Sequence, residues 1–257
     1  HEDMMQENRA TAPLSKVPEV TLGFWIIKVF ATTLGETGGD TLSMTYDMGY
    51  LASSLVFVVP LVALVLLQVR ARGFIRWLYW ATIVASTTAG TTMADFATRS
   101  LGIGYLGGSL LLGGLVLAAL LIWKCVTGTI AVESIVSARA EWFYWITITF
   151  SQTLGTALGD WAADDGGLGY LGGAALFGGS LAALEVLRRR SPVSPVVLFW
   201  AAFVLTRPLG ATLGDFLDKP LAHGGLDLSR PWASSLLACA IVVMVAVLPQ
   251  RAGRHPG

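Results

Sequence analysis

Apolar residues run through this chain in long stretches that are separated by short, more polar segments. The stretches lie at 20–40, 51–68, 75–96, 105–123, 140–161, 169–187, 195–216 and 231–248. A helix needs about 20 apolar residues to cross the hydrocarbon core of a bilayer, and each stretch has about that length. The pattern therefore predicts an all-α, polytopic membrane protein with eight transmembrane helices.

The predicted helices form four repeats of two helices. In the first helix of each pair, a tryptophan is followed ten residues later by glycine and fifteen residues later by aspartate. The sets are Trp25/Gly35/Asp40, Trp80/Gly90/Asp95, Trp145/Gly155/Asp160 and Trp200/Gly210/Asp215. A recurring pattern at fixed spacing indicates one structural unit used several times. We expect helix hairpins at about 19–70, 74–124, 139–190 and 194–250, within a membrane domain of residues 19–250.

The basic residues predict the orientation of these helices. Those that would share one face are Arg9, Lys16, Arg70, Arg72, Arg76, Lys124, Arg139, Arg188, Arg189, Arg190, Arg251 and Arg254. The opposite face holds only Arg99, Lys219 and Arg230. Because basic residues concentrate on the cytoplasmic side, the segments 1–18 and 251–257 are predicted to be cytoplasmic tails of a multi-pass inner (plasma) membrane protein. All repeats would then be parallel, with the tryptophans at the cytoplasmic interface and the aspartates at one depth toward the other side.

Composition agrees with this class and limits the partners. Hydrophobic residues make up 54% of the chain and charged residues 13%, and the mean hydropathy is +0.65. Soluble domains have about 25% charged residues. The formal net charge of +0 argues against a nucleic-acid partner. The expected partners are the lipid bilayer, a small inorganic cation and protons, and the sequence is compatible with a homo-oligomer.

Polar residues recur every four positions in the first helix of each repeat, so they share one helix face. The four faces carry Lys28, Thr32, Glu36, Asp40; Thr87, Thr91, Asp95, Arg99; Gln152, Thr156, Asp160, Asp164; and Arg207, Ala211, Asp215, Lys219, where Ala211 is the one apolar position. Ionisable groups are costly in hydrocarbon and usually mark an ion pathway, so these faces should turn inward. The alternative is that threonine and glycine serve close helix packing while aspartate caps helix ends.

The ligand types favour a hard cation. Carboxylate, hydroxyl and carbonyl oxygens suit Mg²⁺, Ca²⁺, Mn²⁺, Na⁺ or protons. The histidines, at positions 1, 223 and 255, all lie outside the predicted spans, which argues against haem or histidine-bound zinc. We expect Glu36 and the four aspartates to be metal ligands or proton carriers, with no cofactor beyond the transported cation. No nucleophile with a nearby base is present in the spans, so an enzyme is not expected.

Three local features lead to further expectations. Lys28 and Arg207 lie within predicted spans, and each should contact an acidic residue because an unpaired buried charge is unfavourable. Glycine precedes three of the four aspartates, which favours unwound turns there. Pro208 removes a helical hydrogen bond, so the seventh helix is the one expected to be broken.

With its four tryptophan-containing helix pairs, the chain resembles a bacterial inner-membrane family of four two-helix repeats that is catalogued as a repeat of unknown function. The resemblance covers almost the whole membrane region, and TRPLGATLGDFLDKPLAHGGLDLS (206–229) is its most characteristic stretch. The segment GETGGDT (35–41) is also similar to the E-x-G-D-[KR]-[ST] signature of manganese and calcium exchangers. Its glutamate-to-aspartate spacing is longer by one residue, and Thr41 replaces the basic residue. This second resemblance implies a divalent cation such as Mn²⁺.

These observations lead to a functional hypothesis. We expect a secondary transporter that exchanges a hard, divalent cation for protons through a shared carboxylate site. The alternatives are a passive cation channel with an aspartate ring and a membrane scaffold or sensor that transports nothing.

Overall fold

The computed structural model of the protein describes residues 14–254. This part of the chain forms eight α-helices: α1 (Leu22–Asp40), α2 (Tyr50–Arg70), α3 (Arg76–Asp95), α4 (Gly104–Thr127), α5 (Ala138–Asp160), α6 (Gly169–Arg190), α7 (Pro195–Asp218) and α8 (Arg230–Val247). Each helix coincides with one apolar stretch to within a few residues, so the predicted helices are confirmed; a short two-stranded sheet, described below, was not predicted. Five helices, α2, α4, α6, α7 and α8, are long and apolar enough to cross a membrane. Helices α1, α3 and α5 are less apolar because they carry many buried threonines and carboxylates.

The first helices of the repeats form a closed inner ring. Helix α1 packs against α3, α3 against α5, α5 against α7, and α7 against α1. The remaining helices lie outside this ring, where α2 packs along α3, α4 along α5, α6 along α7 and α8 along α1. The expectation of helix hairpins is therefore wrong, because the second helix of each repeat packs on the first helix of the next repeat. The turn after each inner helix carries the chain sideways to its neighbour.

Glycine allows the inner helices to approach closely. The glycine ten residues after each tryptophan faces a side chain of the adjacent inner helix, so a Cβ there would collide with it. The pairs are Gly35 with Thr87, Gly90 with Gln152, Gly155 with Arg207 and Gly210 with Thr32. Gly39, Gly159 and Gly214 make similar contacts one turn later, with Thr91, Ala211 and Glu36. These glycines serve helix packing, as small residues do in membrane bundles, and not the unwound turns expected from the sequence.

The inner helices end in different ways. Three of them continue directly into a single π-helical turn, at Thr41–Thr45, Phe96–Ser100 and Trp161–Asp165. Helix α7, which contains Pro208, has no such turn and runs without a break to Asp218. The expectation of a broken seventh helix is wrong, because one missing hydrogen bond is tolerated where the proline packs closely against Gly155.

The tryptophans lie together at one end of the ring, which we call the Trp end; the opposite end, with the four aspartates, is the Asp end. Trp80, Trp145 and Trp200 are buried and pack in a continuous aromatic cluster. They therefore contact protein, whereas the sequence suggested contact with the membrane interface. Two short strands, β1 (Leu14–Pro18) and β2 (Ala252–Arg254), pair antiparallel and pack at this end.

The strands bring the two ends of the described chain together. Val17 of β1 is buried in the core, and Lys16 Nζ lies 2.6 Å from Glu141 Oε2 at the start of α5. Part of the predicted N-terminal tail is therefore folded onto the bundle. The rest of that tail, with Arg9, and residues 255–257 of the predicted C-terminal tail lie outside the described residues.

Candidate functional site

Polar side chains stack in layers along the axis of the inner ring. Equivalent positions on the four helices are in register, and steps of four residues place successive layers about 6 Å apart. From the Trp end, the layers are Phe24/Tyr79/Tyr144/Phe199, Lys28/Ile83/Ile148/Phe203, Thr32/Thr87/Gln152/Arg207, Glu36/Thr91/Thr156/Ala211, Asp40/Asp95/Asp160/Asp215 and Met44/Arg99/Asp164/Lys219. The five layers from Lys28 to Lys219 contain every candidate site residue predicted from the sequence.

Arg207 lies at the centre of this axis and is fully buried. Its Nη2 group donates to Glu36 Oε2 at 2.9 Å, to Thr91 Oγ1 at 2.6 Å and to Thr156 Oγ1 at 2.5 Å. Its Nη1 group also donates to the carbonyl of Thr32 at 3.5 Å. The predicted contact of Arg207 with an acidic residue is confirmed. The guanidinium thus connects all four inner helices.

Lys28 lies one layer closer to the Trp end and is also fully buried. Its Nζ stands 3.7 Å from the centroid of the Phe203 ring and has no hydrogen-bond partner among the described residues. The expectation that Lys28 contacts an acidic residue is wrong. The carboxylate on its own helix face, Glu36, is two turns away and is engaged by Arg207.

The four aspartates converge at the Asp end, and each is buried. Arg99 bridges two of them, with Nε at 2.9 Å from Asp95 Oδ1 and Nη2 at 3.4 Å from Asp160 Oδ2. Lys219 bridges the other two, with Nζ at 2.8 Å from Asp40 Oδ2 and 3.1 Å from Asp215 Oδ1. Arg230 Nε also lies 3.9 Å from Asp40 Oδ2, so three basic groups partly neutralise the four carboxylates.

Lys219 follows the last residue of α7 and remains protonated. Burial alone would lower its pKa, but the nearby carboxylates of Asp215, Asp40 and Asp218 outweigh burial and raise the pKa well above its usual value. The ammonium is therefore a fixed positive charge at the Asp end.

Carboxylates from different helices form two clusters. Glu36, Asp160 and Asp215 each place one oxygen within 4.8 Å of the others, and Asp40, Asp215 and Asp218 do the same. All of these residues are buried, and Asp215 belongs to both clusters. Carboxylate oxygens at these separations match the ligand set of a hard cation. We call the first set the inner cluster and the second the outer cluster.

A cavity opens at the Asp end and reaches the clusters. Its volume is about 260 Å³, and its lining includes Arg99, Asp164, Asp215, Lys219 and His223. Asp164 is exposed there and accepts a hydrogen bond from Tyr105 Oη at 3.4 Å. Both clusters contain Asp215, so they can be reached from this cavity.

The repeated arrangement of these residues corresponds to a known family. The chain matches the family described as Repeat of Unknown Function (DUF347) four times, at residues 23–74, 78–129, 143–192 and 198–250. The protein belongs to this family. Searches of curated proteins and of solved structures give no match. The family resemblance is thus confirmed, whereas no match supports the likeness of residues 35–41 to the exchanger signature.

Each copy of the Repeat of Unknown Function contains one inner helix and the outer helix that follows it. The copies differ at the site, and two residues of the fourth copy, Asp218 and Arg230, were not predicted from the sequence to lie there. The Asp218 side chain is fully buried and its Oδ2 lies 3.3 Å from Arg230 Nε. The equivalent positions in the other copies hold Ser43, Thr98 and Ala163. Comparing equivalent positions across the four copies would have revealed this extra carboxylate.

Proposed function

We propose that the protein is a secondary transporter that exchanges a hard, divalent cation such as Mn²⁺ for protons. The observation that carries this proposal is the inner cluster, in which three buried carboxylates from α1, α5 and α7 place oxygens within 4.8 Å of one another. Like charges at this separation repel strongly in a medium of low dielectric, so the cluster is stabilised by a bound cation or by protons. Binding of one would then release the other.

The neighbouring groups support a site that binds cargo reversibly. Arg207 engages one oxygen of Glu36 and Lys219 engages Asp215, so the cluster keeps partial charge compensation when it holds no cation. If fixed basic groups compensated all of the carboxylate charge, the cluster would not attract a cation. If no basic group compensated it, the buried carboxylates would destabilise the fold. The intermediate arrangement suits a carrier that must both load and unload.

The shape of the axis favours a carrier over an open pore. The cavity at the Asp end gives access to Asp215. Toward the Trp end, Arg207 and then Lys28, Ile83 and Phe203 occupy the axis, and all four are fully buried. Beyond them, the hydroxyls of Tyr79 and Tyr144 meet at 2.6 Å. A site open on one side and closed on the other is the arrangement that alternating access requires.

We further propose that all eight helices cross the inner membrane as four parallel repeats, with both termini in the cytoplasm. Helices α1, α3 and α5 would span it inside the bundle, shielded from lipid by the outer helices. Support comes from the unequal distribution of basic residues in the loops and from the meeting of β1 and β2 at the Trp end. The cavity would then open to the extracytoplasmic side.

The test is transport by the purified protein in proteoliposomes with a pH-sensitive dye inside. We expect Mn²⁺ flux with opposite proton movement in the wild type, and its loss in Asp160→Asn, which keeps the shape of the side chain but removes its charge. Asp165→Asn is the matched control, because Asp165 lies close by in the chain but is exposed. Uncoupled conductance in the wild type would indicate a channel instead, and absence of flux would indicate a scaffold or sensor.

A further inference from the structure

The layers around Lys28 and Arg207 contain a group of buried polar atoms that have no partner. Lys28 Nζ, Thr87 Oγ1, Arg207 Nε and both amide atoms of Gln152 make no hydrogen bond within residues 14–254. All four residues are fully buried. Most buried polar atoms in native proteins are hydrogen-bonded, so several unpaired polar atoms in one place indicate a bound ligand.

These side chains come from all four inner helices and meet at neighbouring levels of the axis. Lys28 Nζ lies over the ring of Phe203, which precedes Arg207 by one turn of α7. Lys28 Nζ therefore lies about one helical turn from the level of Arg207, on the side of the Trp end. Thr87 and Gln152 occupy the same layer as Arg207, where Thr87 packs against Gly35 and Gln152 against Gly90.

The charges in this region do not balance. Arg207 carries one positive charge, and Lys28 carries a second one when it is protonated. The only carboxylate paired with either residue within residues 14–254 is Glu36, which binds Arg207. The aspartates lie one layer farther away and have Arg99 and Lys219 as partners. A charge buried without compensation is strongly unfavourable. Water would satisfy hydrogen bonds here, but an anion would also supply the missing negative charge.

We infer that Lys28, Thr87, Gln152 and Arg207 form a binding site for a small inorganic anion of the halide class, with chloride as its ligand. The ammonium, the hydroxyl, the amide NH₂ and the Nε–H group are all donors that an anion accepts from. Close packing of Thr87, Gln152 and Arg207 on glycines of neighbouring helices favours a monatomic ion. The site adjoins the inner cluster, because Arg207 also binds Glu36, but the inference does not depend on cation exchange.

The experiment compares the purified full chain in detergent with sodium chloride and with sodium gluconate at equal sodium concentration. We expect chloride to raise the Tm in a saturable way and to broaden the ³⁵Cl nuclear magnetic resonance line, with bromide competing. Lys28→Met removes the charge while keeping the chain length. It should fold at least as well as the wild type in gluconate and lose affinity for chloride roughly tenfold or more.

Two further variants complete the test. Lys28→Arg keeps the charge and should retain chloride binding, and Lys124→Met is a control at an exposed lysine. A wild-type Tm and ³⁵Cl line that do not respond to chloride would overturn the inference, as expected if Lys28 is neutral or if water fills the site. An unchanged response in Lys28→Met would also overturn it. The wild-type measurement decides even if a variant does not fold.

Discussion

The buried ion pair between Arg207 and Glu36 gives the sharpest stability prediction. Arg207→Met keeps the methylene groups that pack against Gly155 but removes the guanidinium, whose Nη2 lies 2.9 Å from Glu36 Oε2. The side chains of Arg207 and Glu36 are 0% and 3% exposed, so solvent cannot replace the lost partner. Removing one member of a buried pair costs about 3–5 kcal/mol. For a chain of this size that corresponds to a fall in Tm of roughly 6–20 °C.

The measurement is thermal unfolding of purified variants in one detergent. Glu36→Gln combined with Arg207→Met removes both charges, so the double variant should recover much of the stability lost in Arg207→Met. Arg188→Met is the control, because Arg188 pairs with Glu185 on the surface, where solvent screens the ion pair and its loss should change the Tm little. Two outcomes would refute the reasoning. One is a loss of stability in Arg207→Met that is no larger than in this control. The other is a double variant whose loss of stability equals the sum of the losses in Glu36→Gln and Arg207→Met.

Three other outcomes follow from the fold and the site. Gly155→Ala places a Cβ against Arg207 and should destabilise the protein by about 1–3 kcal/mol in thermal unfolding. Gly114→Ala is the control: a Cβ there meets no atom within 4 Å, so this variant should be neutral or slightly stabilising. Lys219→Met removes a positive charge that competes with a bound cation for Asp40 and Asp215. Calorimetry should therefore show roughly tenfold tighter Mn²⁺ binding in this variant, and an unchanged affinity would contradict such competition. A cysteine at position 189, in a chain without the native cysteines, should react with a membrane-impermeant maleimide only in inside-out vesicles, and labelling in intact cells would disprove the proposed topology.

Local patterns in the sequence were sufficient to predict the helices and the composition of the axis. The positions of the helices follow from apolar stretches, because each stretch is long enough for a helix and is bounded by polar residues. The repeated spacing from tryptophan to aspartate also predicted that Asp40, Asp95, Asp160 and Asp215 would lie at one level. These predictions depend on periodicity within a single helix, which the sequence displays directly.

The choice of partners was decided by tertiary structure. Lys219 pairs with Asp40, which is 179 residues away, because α7 closes the ring onto α1. No local pattern shows that closure, nor that each outer helix packs on the next repeat. The same arrangement of helices places Glu36 in an ion pair with Arg207 and leaves Lys28 without a carboxylate partner. The sequence by itself determined which residues face the axis. The order of the helices around the ring determined which of these residues meet. Contacts between helices depend on distances between helices, and the spacing of residues along one helix does not encode those distances.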